Sequence, residues 1–342
     1  MAFSRARALV LPVAAAAVLA FGAEVHPASV SVTLPGGGAG IGFDDLRFAP
    51  AASVLLAPAG RTGSLDLIDP ATRAVTAIGG FSSTKNFRGG HGEGTTSADE
   101  GNGFFFATDR TAGELAVIDP REKRIASRSR LAGGPDYVRF VAPTGEVWVT
   151  EPNQERIEIF RLEGGKPPRP VASGSITVRG GPESLVVDAR RGRAYTHLWE
   201  ARTVAIDLKS RGIVATWPNG CKGSRGIALD EDRGFLFAGC AEGRAVTLSV
   251  ADGRQLGTGS SGSGVDIIDY APKLRHLYLP GAKSATMGIF GVSEKGELSL
   301  LGTTPTAEGS HCVAADRSGN AWVCDPKRGA LIVVSDPYPA SR

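Results

Sequence analysis

Beyond about residue 28 the chain is written in short runs in which apolar and polar residues alternate, separated by clusters of Gly, Pro, Asn and Asp. Alternation with period two, rich in β-branched and aromatic residues, specifies strands, and no long segment carries a helical period. One such strand keeps returning. It reads S-L-D-L-I-D at Ser64–Asp69 and E-L-A-V-I-D at Glu114–Asp119, and recurs at Arg156–Phe160, Thr203–Asp207, Ala245–Val250, Met287–Val292 and Ala330–Val334. Upstream of these copies lies a turn of the form D-x-x(-x)-G followed by further alternation. It occupies Asp99–Phe106, Asp188–Tyr195, Asp230–Phe237 and Asp316–Val323, with Ala-Pro standing in for Asp at Ala49, Ala142 and Ala271. Asp or Pro starts such turns and Gly supplies the positive φ that closes them. A third signal leads into each repeat: Gly, any residue, a polar residue, any residue, an apolar one. It begins at Gly42, Gly92, Gly134, Gly181, Gly223, Gly264 and Gly309.

The three signals keep one order and a spacing of roughly 41 to 50 residues, the length of a four-stranded propeller blade. Seven copies predict an all-β chain folded as a seven-bladed β-propeller of four-stranded blades. The last copy runs out at Arg342 soon after its third strand, while A-S-V-S-V-T-L at Ala28–Leu34 stands as a spare strand before the first repeat. That strand is expected to complete the last blade and close the ring, so that no sheet edge is left unpaired between first and last blades.

Composition agrees: 46 Gly and 21 Pro suit a turn-rich β architecture and break helices. A chain of this length would ordinarily divide in two, but a repeat array is one unit, so residues 24–342 read as a single propeller domain. Residues 1–23 read as a signal peptide: Arg5 and Arg7 precede an apolar run from Ala8 to Phe21, with small residues suited to cleavage between Ala20 and Ala23. The run is about 14 residues, whereas a spanning helix needs about 20, and no later segment is apolar enough to span a bilayer. A periplasmic or secreted protein is expected. Losing the leader takes Lys plus Arg from 38 to 36 against 35 acids. With that near-neutral balance and no basic run, nucleic acid is excluded as a partner.

The four Cys of an exported chain imply two disulfides. The blade grammar puts Cys221 in the loop leading into blade five and Cys240 at the end of that blade's second strand. Cys312 starts the innermost strand of the last blade, and Cys324 ends its neighbour. Cys221–Cys240 and Cys312–Cys324 are therefore the expected pairs, each closing a loop of about 13 to 20 residues worth roughly 3 kcal/mol.

The grammar resembles the YVTN-repeat family of exported propellers and its lactonase-like relatives. The residues that carry the resemblance are G-G-P-D-Y-V at 133–138, G-G-P-E-S-L at 180–185, F-F-F-A-T-D at 104–109, V-W-V-T-E at 147–151 and A-V-I-D at 116–119. These are turn and core residues spread over the mature chain, so the resemblance speaks for fold more than for activity.

In a propeller the loops leading into all blades converge on one mouth of the central channel. The third residues of the seven lead-in motifs are Asp44, Gly94, Asp136, Glu183, Arg225, Asp266 and His311, with His91 and Glu93 beside the one Gly. Asp44, His91, Glu93, Asp136, Glu183, Arg225, Asp266 and His311 are the candidate ligand-binding residues. Asp109, Glu151, His197 and Asp325, at the ends of second strands, are expected as a further tier on the same face. Carboxylates with an imidazole can hold a divalent cation, with Asp136, Glu183, Asp266 and His311 as the candidate ligands. His276 is expected on the surface of the opposite face, and Trp148, Trp199, Trp217 and Trp322 within blades or at their edges. No G-x-S-x-G elbow, H-E-x-x-H or P-loop occurs. The leading expectation is a binding protein that presents this polar mouth to a small ligand or protein partner. The alternatives are a metal-assisted, lactonase-type hydrolase and an accessory subunit of an exported redox enzyme.

Overall fold

The computed structural model describes Met1 and residues 29–342. The expected leader from residue 2 onward, and His26, lie outside the described residues. Among the described residues no helix is long and apolar enough to cross a membrane.

Seven four-stranded antiparallel sheets follow one another, each opening with a strand nearest the axis and running outward. Blade three is typical: Val138–Val141, Glu146–Glu151, Arg156–Glu163 and Arg169–Thr177 pair in that order. Second strands are buried throughout, as in Phe104–Asp109, Glu146–Glu151 and Phe235–Cys240. They lie mid-sheet with a neighbouring blade on each face, so both faces are shielded and polar members such as Glu146 and Glu151 need partners. Outermost strands are half solvated. In Ile213–Pro218 of blade four no residue is fully buried. In blades two to six a register shift between the third and fourth strands falls at the same place, for example Val117/Ile118 and Ile159/Phe160. Such a bulge twists the rim strand and blunts it as a template for pairing with another chain.

The Asp that ends several third strands has a local cause. Asp69 Oδ1 accepts from the N–H groups of Ala71 and Thr72 at 2.8 and 3.0 Å, and Asp119 and Asp207 bind their turns in the same way. A carboxylate that satisfies two turn donors costs less than leaving them bare.

Ser29–Thr33 pairs antiparallel with Ala330–Ser335, Ser29 opposite Val334 and Thr33 opposite Ala330. It forms the outermost strand of blade seven, as the spare-strand reading expected, and Val32 and Leu34 enter the core. Both cysteine pairs are bridged, with Cα separations of 5.2 Å for Cys221–Cys240 and 5.7 Å for Cys312–Cys324.

One histidine departs from expectation. His276 is not on the surface: its side chain is 0% exposed, with Nδ1 2.7 Å from Asp336 Oδ2 and Nε2 3.1 Å from the Pro339 carbonyl oxygen. Tyr278 Oη donates to the same Asp336 carboxylate at 2.8 Å. The segment from Asp336 onward folds back over blade six, and the Ser341 N–H reaches the Leu274 carbonyl at 2.9 Å. Sequence spacing carried no sign of this cover, because the contact spans about 60 residues.

The centre of the channel is filled. Leu46, Tyr137, Leu185 and Ile267 belong to one buried cluster drawn from blades one, three, four and six. Among them Arg139 forks onto Asp45 with contacts of 2.6 and 3.0 Å, and its Nε donates to the Leu185 carbonyl at 3.0 Å. Ser97 Oγ donates to Asp45 at 2.6 Å, and the Tyr137 ring lies 4.6 Å beneath the guanidinium.

Two expectations follow. Deleting Ser29–Thr33 opens the ring and removes the Val32 packing, so the melting temperature measured by calorimetry falls by at least about 5 °C, at roughly 2–4 °C per kcal/mol; an unchanged melt would refute closure by this strand. Arg139→Met alone strands a buried carboxylate and costs about 3–5 kcal/mol in urea unfolding, most of which the Asp45→Leu/Arg139→Met pair recovers.

Candidate functional site at the lead-in mouth

The lead-in loops are held at a common height by their own blades. The Asp136 N–H donates to the Thr150 carbonyl at 2.8 Å and the Glu183 N–H to the His197 carbonyl at 2.9 Å, each reaching the end of the same blade's second strand. Pro135 and Pro182 stand just before these carboxylates and fix φ there. The period of the lead-in motif then sorts side chains by depth. In blades one, three and six, Asp44, Asp136 and Asp266 face the mouth. One residue on, Asp45, Tyr137 and Ile267 lie in the packed centre.

Seven of the eight expected residues gather. His91 Nδ1 lies 3.0 Å from Asp44 Oδ2, and Nε2 lies 3.8 Å from Asp266. The His91 and His311 rings are 5.5 Å apart. Arg225 Nε is 3.7 Å from Glu183. Asp136 and Glu183 interact electrostatically with Asp44 and Asp266. The eighth, Glu93, is exposed and makes no hydrogen bond or ion pair among the described residues.

Two members were missed by sequence reading. Arg110, just past blade two's second strand, donates to Asp44 Oδ2 at 3.0 Å and to Asp136 Oδ1 at 2.7 Å, and also to the His91 carbonyl at 2.8 Å. With His91 it is blade two's contribution to the cluster, since the lead-in position of that blade is Gly94. Gly94 has φ +68°, and a Cβ there would meet the Gly60 carbonyl at 2.0 Å, so that position cannot carry one. Trp199 is not in a blade core: it is 42% exposed, and its indole N–H donates to Glu183. The signal for both is position, one or two residues beyond a second strand on the mouth side.

The further tier takes no part. Asp109 accepts from the Ser82 and Ala112 N–H groups, and Glu151 from Gly133 N–H and Arg156. Asp325 caps the turn at Arg328. His197 is fully buried, bonded to Thr203 Oγ1 at 2.9 Å, and burial pushes it down to about 4. These polar groups were legible as same-face residues, but Asp109 and Glu151 are engaged by nearby backbone donors and His197 by Thr203.

The charges at the mouth are crowded. Burial works against ionised Asp44, but His91 and Arg110 beside it hold its carboxyl below the usual range. Burial raises Asp136 well above that range, and Asp44 raises it further, against the pull of Arg110. Burial and Asp266 lift Glu183 to about 7, and burial raises Asp266 as well. Asp44 lifts His91 to about 9. The carboxylates of Asp136, Glu183 and Asp266 are 15%, 16% and 21% exposed. They are buried enough to repel one another and open enough to be reached.

Among solved structures, the chain is similar to one from the mitotic checkpoint complex, with a TM-score of 0.73, 12% identity, and coverage of 97% of this chain and 99% of that one. It is similar to U3-55K with a TM-score of 0.71, 10% identity, and coverage of 90% and 98%. The fold is a seven-bladed β-propeller. Likeness at these identities extends to fold alone. No protein-family model matches the sequence, and no curated protein matches it.

The propeller's metal candidates assemble only in part. Asp266 and His311 come together with His91, their ligand atoms all within 4.8 Å, rather than with Asp136 and Glu183. Arg110 engages Asp136, while Trp199 and Arg225 engage Glu183. His311 points Nδ1 at the Gly309 carbonyl (2.6 Å) and Nε2 at the Phe43 carbonyl (2.9 Å). Each ring nitrogen of His311 thus already faces a backbone carbonyl, a contact that an incoming ion would have to displace.

These shifts set a pH dependence. His91 binds its proton more tightly folded than unfolded, so its contribution is complete below 6.5 and is lost as pH rises through about 9. Glu183 has the same sign between 4.5 and about 7. His197 has the opposite sign, losing stability as pH falls from 6.5 towards 4. Above 6.5 only the falling contributions of this set remain. The melting temperature should therefore drop between pH 6.5 and 9, and His91→Gln should flatten that drop; an equal slope in the variant would refute the assignment.

Proposed function

We propose that this propeller is an exported binding protein whose lead-in mouth takes a ligand bearing a cationic amine, either a small molecule or a lysine or arginine side chain of a protein partner. Residues 1–23 serve as the leader and 24–342 as the binding domain, and the two cysteine bridges suit an oxidising compartment. The observation that carries the reading is the crowding of Asp136, Glu183 and Asp266. Each is raised by burial, and each feels other carboxylates at the mouth. A cation arriving among them relieves that repulsion and ionises them. Exposed Trp199, held by Glu183, adds an aromatic face of the kind that attracts cations. Arg110 and Arg225 keep the mouth from being uniformly negative, which favours ligands that carry an acceptor as well as the amine.

A second reading is favoured by one observation, the His91, Asp266 and His311 group. In it a divalent ion displaces the present partners of those rings and supports lactonase-type hydrolysis.

Titration of EDTA-stripped protein with cadaverine, followed by tryptophan fluorescence, separates the two. Trp199 is the most exposed of the indoles, so saturable quenching is expected. Asp266→Asn followed by fluorescence, and Trp199→Phe followed by calorimetry because it removes the reporter, should each weaken binding about tenfold, or about 1.4 kcal/mol. Cadaverine without saturable effect would overturn the amine reading. Selective stabilisation by Zn²⁺ or Ca²⁺ that vanishes in His311→Ala would put the metal reading in its place, with lactone hydrolysis assayed next.

A further inference from the structure

The channel has a second mouth, on the side of the turns that join each innermost strand to the next. There a cavity of about 850 Å³ opens between blades one, four, five, six and seven. Its walls include Phe48, Val186, Val187, Ile227, Leu229 and Leu274. The packed centre separates it from the lead-in mouth: Tyr137 and the Asp45–Arg139 pair lie between Asp136 and Asp266 on one side and Arg47 and Asp269 on the other. This size, and walls that combine apolar side chains with charged groups, suit a small amphipathic molecule.

The polar groups of the cavity divide by whether they are already used. Its acids are committed to the fold. Asp269 accepts the Tyr270 and Ala315 N–H groups, each at 2.8 Å. Asp316 accepts the Ser318 and Asn320 N–H groups, the Asn320 amide and the Trp322 indole. Glu231 accepts the Arg190 N–H at 2.7 Å. The cations are less committed. Arg47 spends its Nε on Asp99 at 2.5 Å, and its two terminal nitrogens have no hydrogen-bond partner among the described residues. Lys273 has neither an ion pair nor a hydrogen bond among the described residues. Arg317 donates one nitrogen to the Pro50 carbonyl at 2.6 Å. Asp269 and Asp316 thus have both oxygens engaged, while Arg47 and Lys273 keep free donors among the described residues. A guanidinium edge with free N–H groups matches a carboxylate in a planar, two-point fashion.

We propose that this second mouth binds an amphipathic monocarboxylate, with the head at Arg47 and Lys273 and the apolar body along Phe48, Val187 and Ile227. The site is independent of the amine site. The two sit at opposite ends of a filled channel and want opposite charges.

Isothermal titration of the full mature chain with octanoate, and with octanol as the uncharged counterpart, tests this. Octanoate should bind saturably at one site per chain, and octanol at least about tenfold more weakly. Lys273→Gln and Arg47→Gln should each weaken octanoate about tenfold or more. Lys273 is exposed and has no ion pair or hydrogen bond among the described residues, so that variant keeps the test valid even if losing the Arg47–Asp99 contact disturbs the fold. Saturating cadaverine should leave octanoate binding unchanged. No saturable octanoate binding, octanol binding as tight as octanoate, or unchanged affinity in Lys273→Gln would each overturn the proposal. Displacement by cadaverine would overturn the two-site division.

Discussion

The guanidinium of Arg139 and the carboxylate of Asp45 lie across the inside of the ring, 94 residues apart in the chain and 4% and 3% exposed. Two charges at that depth are tolerable only because nearly every hydrogen-bonding direction is used: a forked contact between them, Ser97 on the acid, and the Leu185 carbonyl on the base. The contact joins blades one and three directly, blade two through Ser97 and blade four through Leu185. It fixes the angular order of four innermost strands. With Leu46, Tyr137, Leu185 and Ile267 it also makes the channel a solid centre with two separate mouths.

Both proposed sites depend on that division. Above the plug, short Gly-led loops bring four carboxylates close enough that burial and mutual repulsion raise three of them, while His91 and Arg110 keep Asp44 ionised. Below it, the same segments three residues later present Arg47 and Asp269 to a cavity, where the carboxylate of Asp269 is engaged by backbone N–H groups and Arg47 keeps free N–H groups among the described residues. One repeat thus builds two chemically opposite ends from neighbouring positions. The difference lies in which polar groups the backbone has already claimed.

Further stability comes from closures of a different kind. Ser29–Thr33 supplies the missing rim strand of blade seven, two cysteine bridges tie loops in blades five and seven, and the tail beyond Asp336 covers blade six through His276 and Tyr278. The bulges repeated in blades two to six twist the rim strands, which leaves partly exposed residues such as Ile213 and Val214 on a poor template for pairing with another chain.

Alternation, turn residues and the repeat length carried the architecture, the closing strand, both cysteine pairs and seven of the residues at the lead-in mouth. Each is a periodic or local feature: strand faces follow period two, turns need Asp and Gly, and a repeat places the same position of every blade at the same height. Only the tertiary structure decided what lies across the repeats. Arg110 reaching from blade two to Asp44 and Asp136, Trp199 turning out to Glu183, His276 buried under the tail, and the acids beyond the plug bound by backbone N–H groups are contacts between particular groups of different loops or blades. Their existence depends on distances and on competition for hydrogen-bond partners. Periodicity encodes which way a side chain faces, but not which neighbour has already satisfied it.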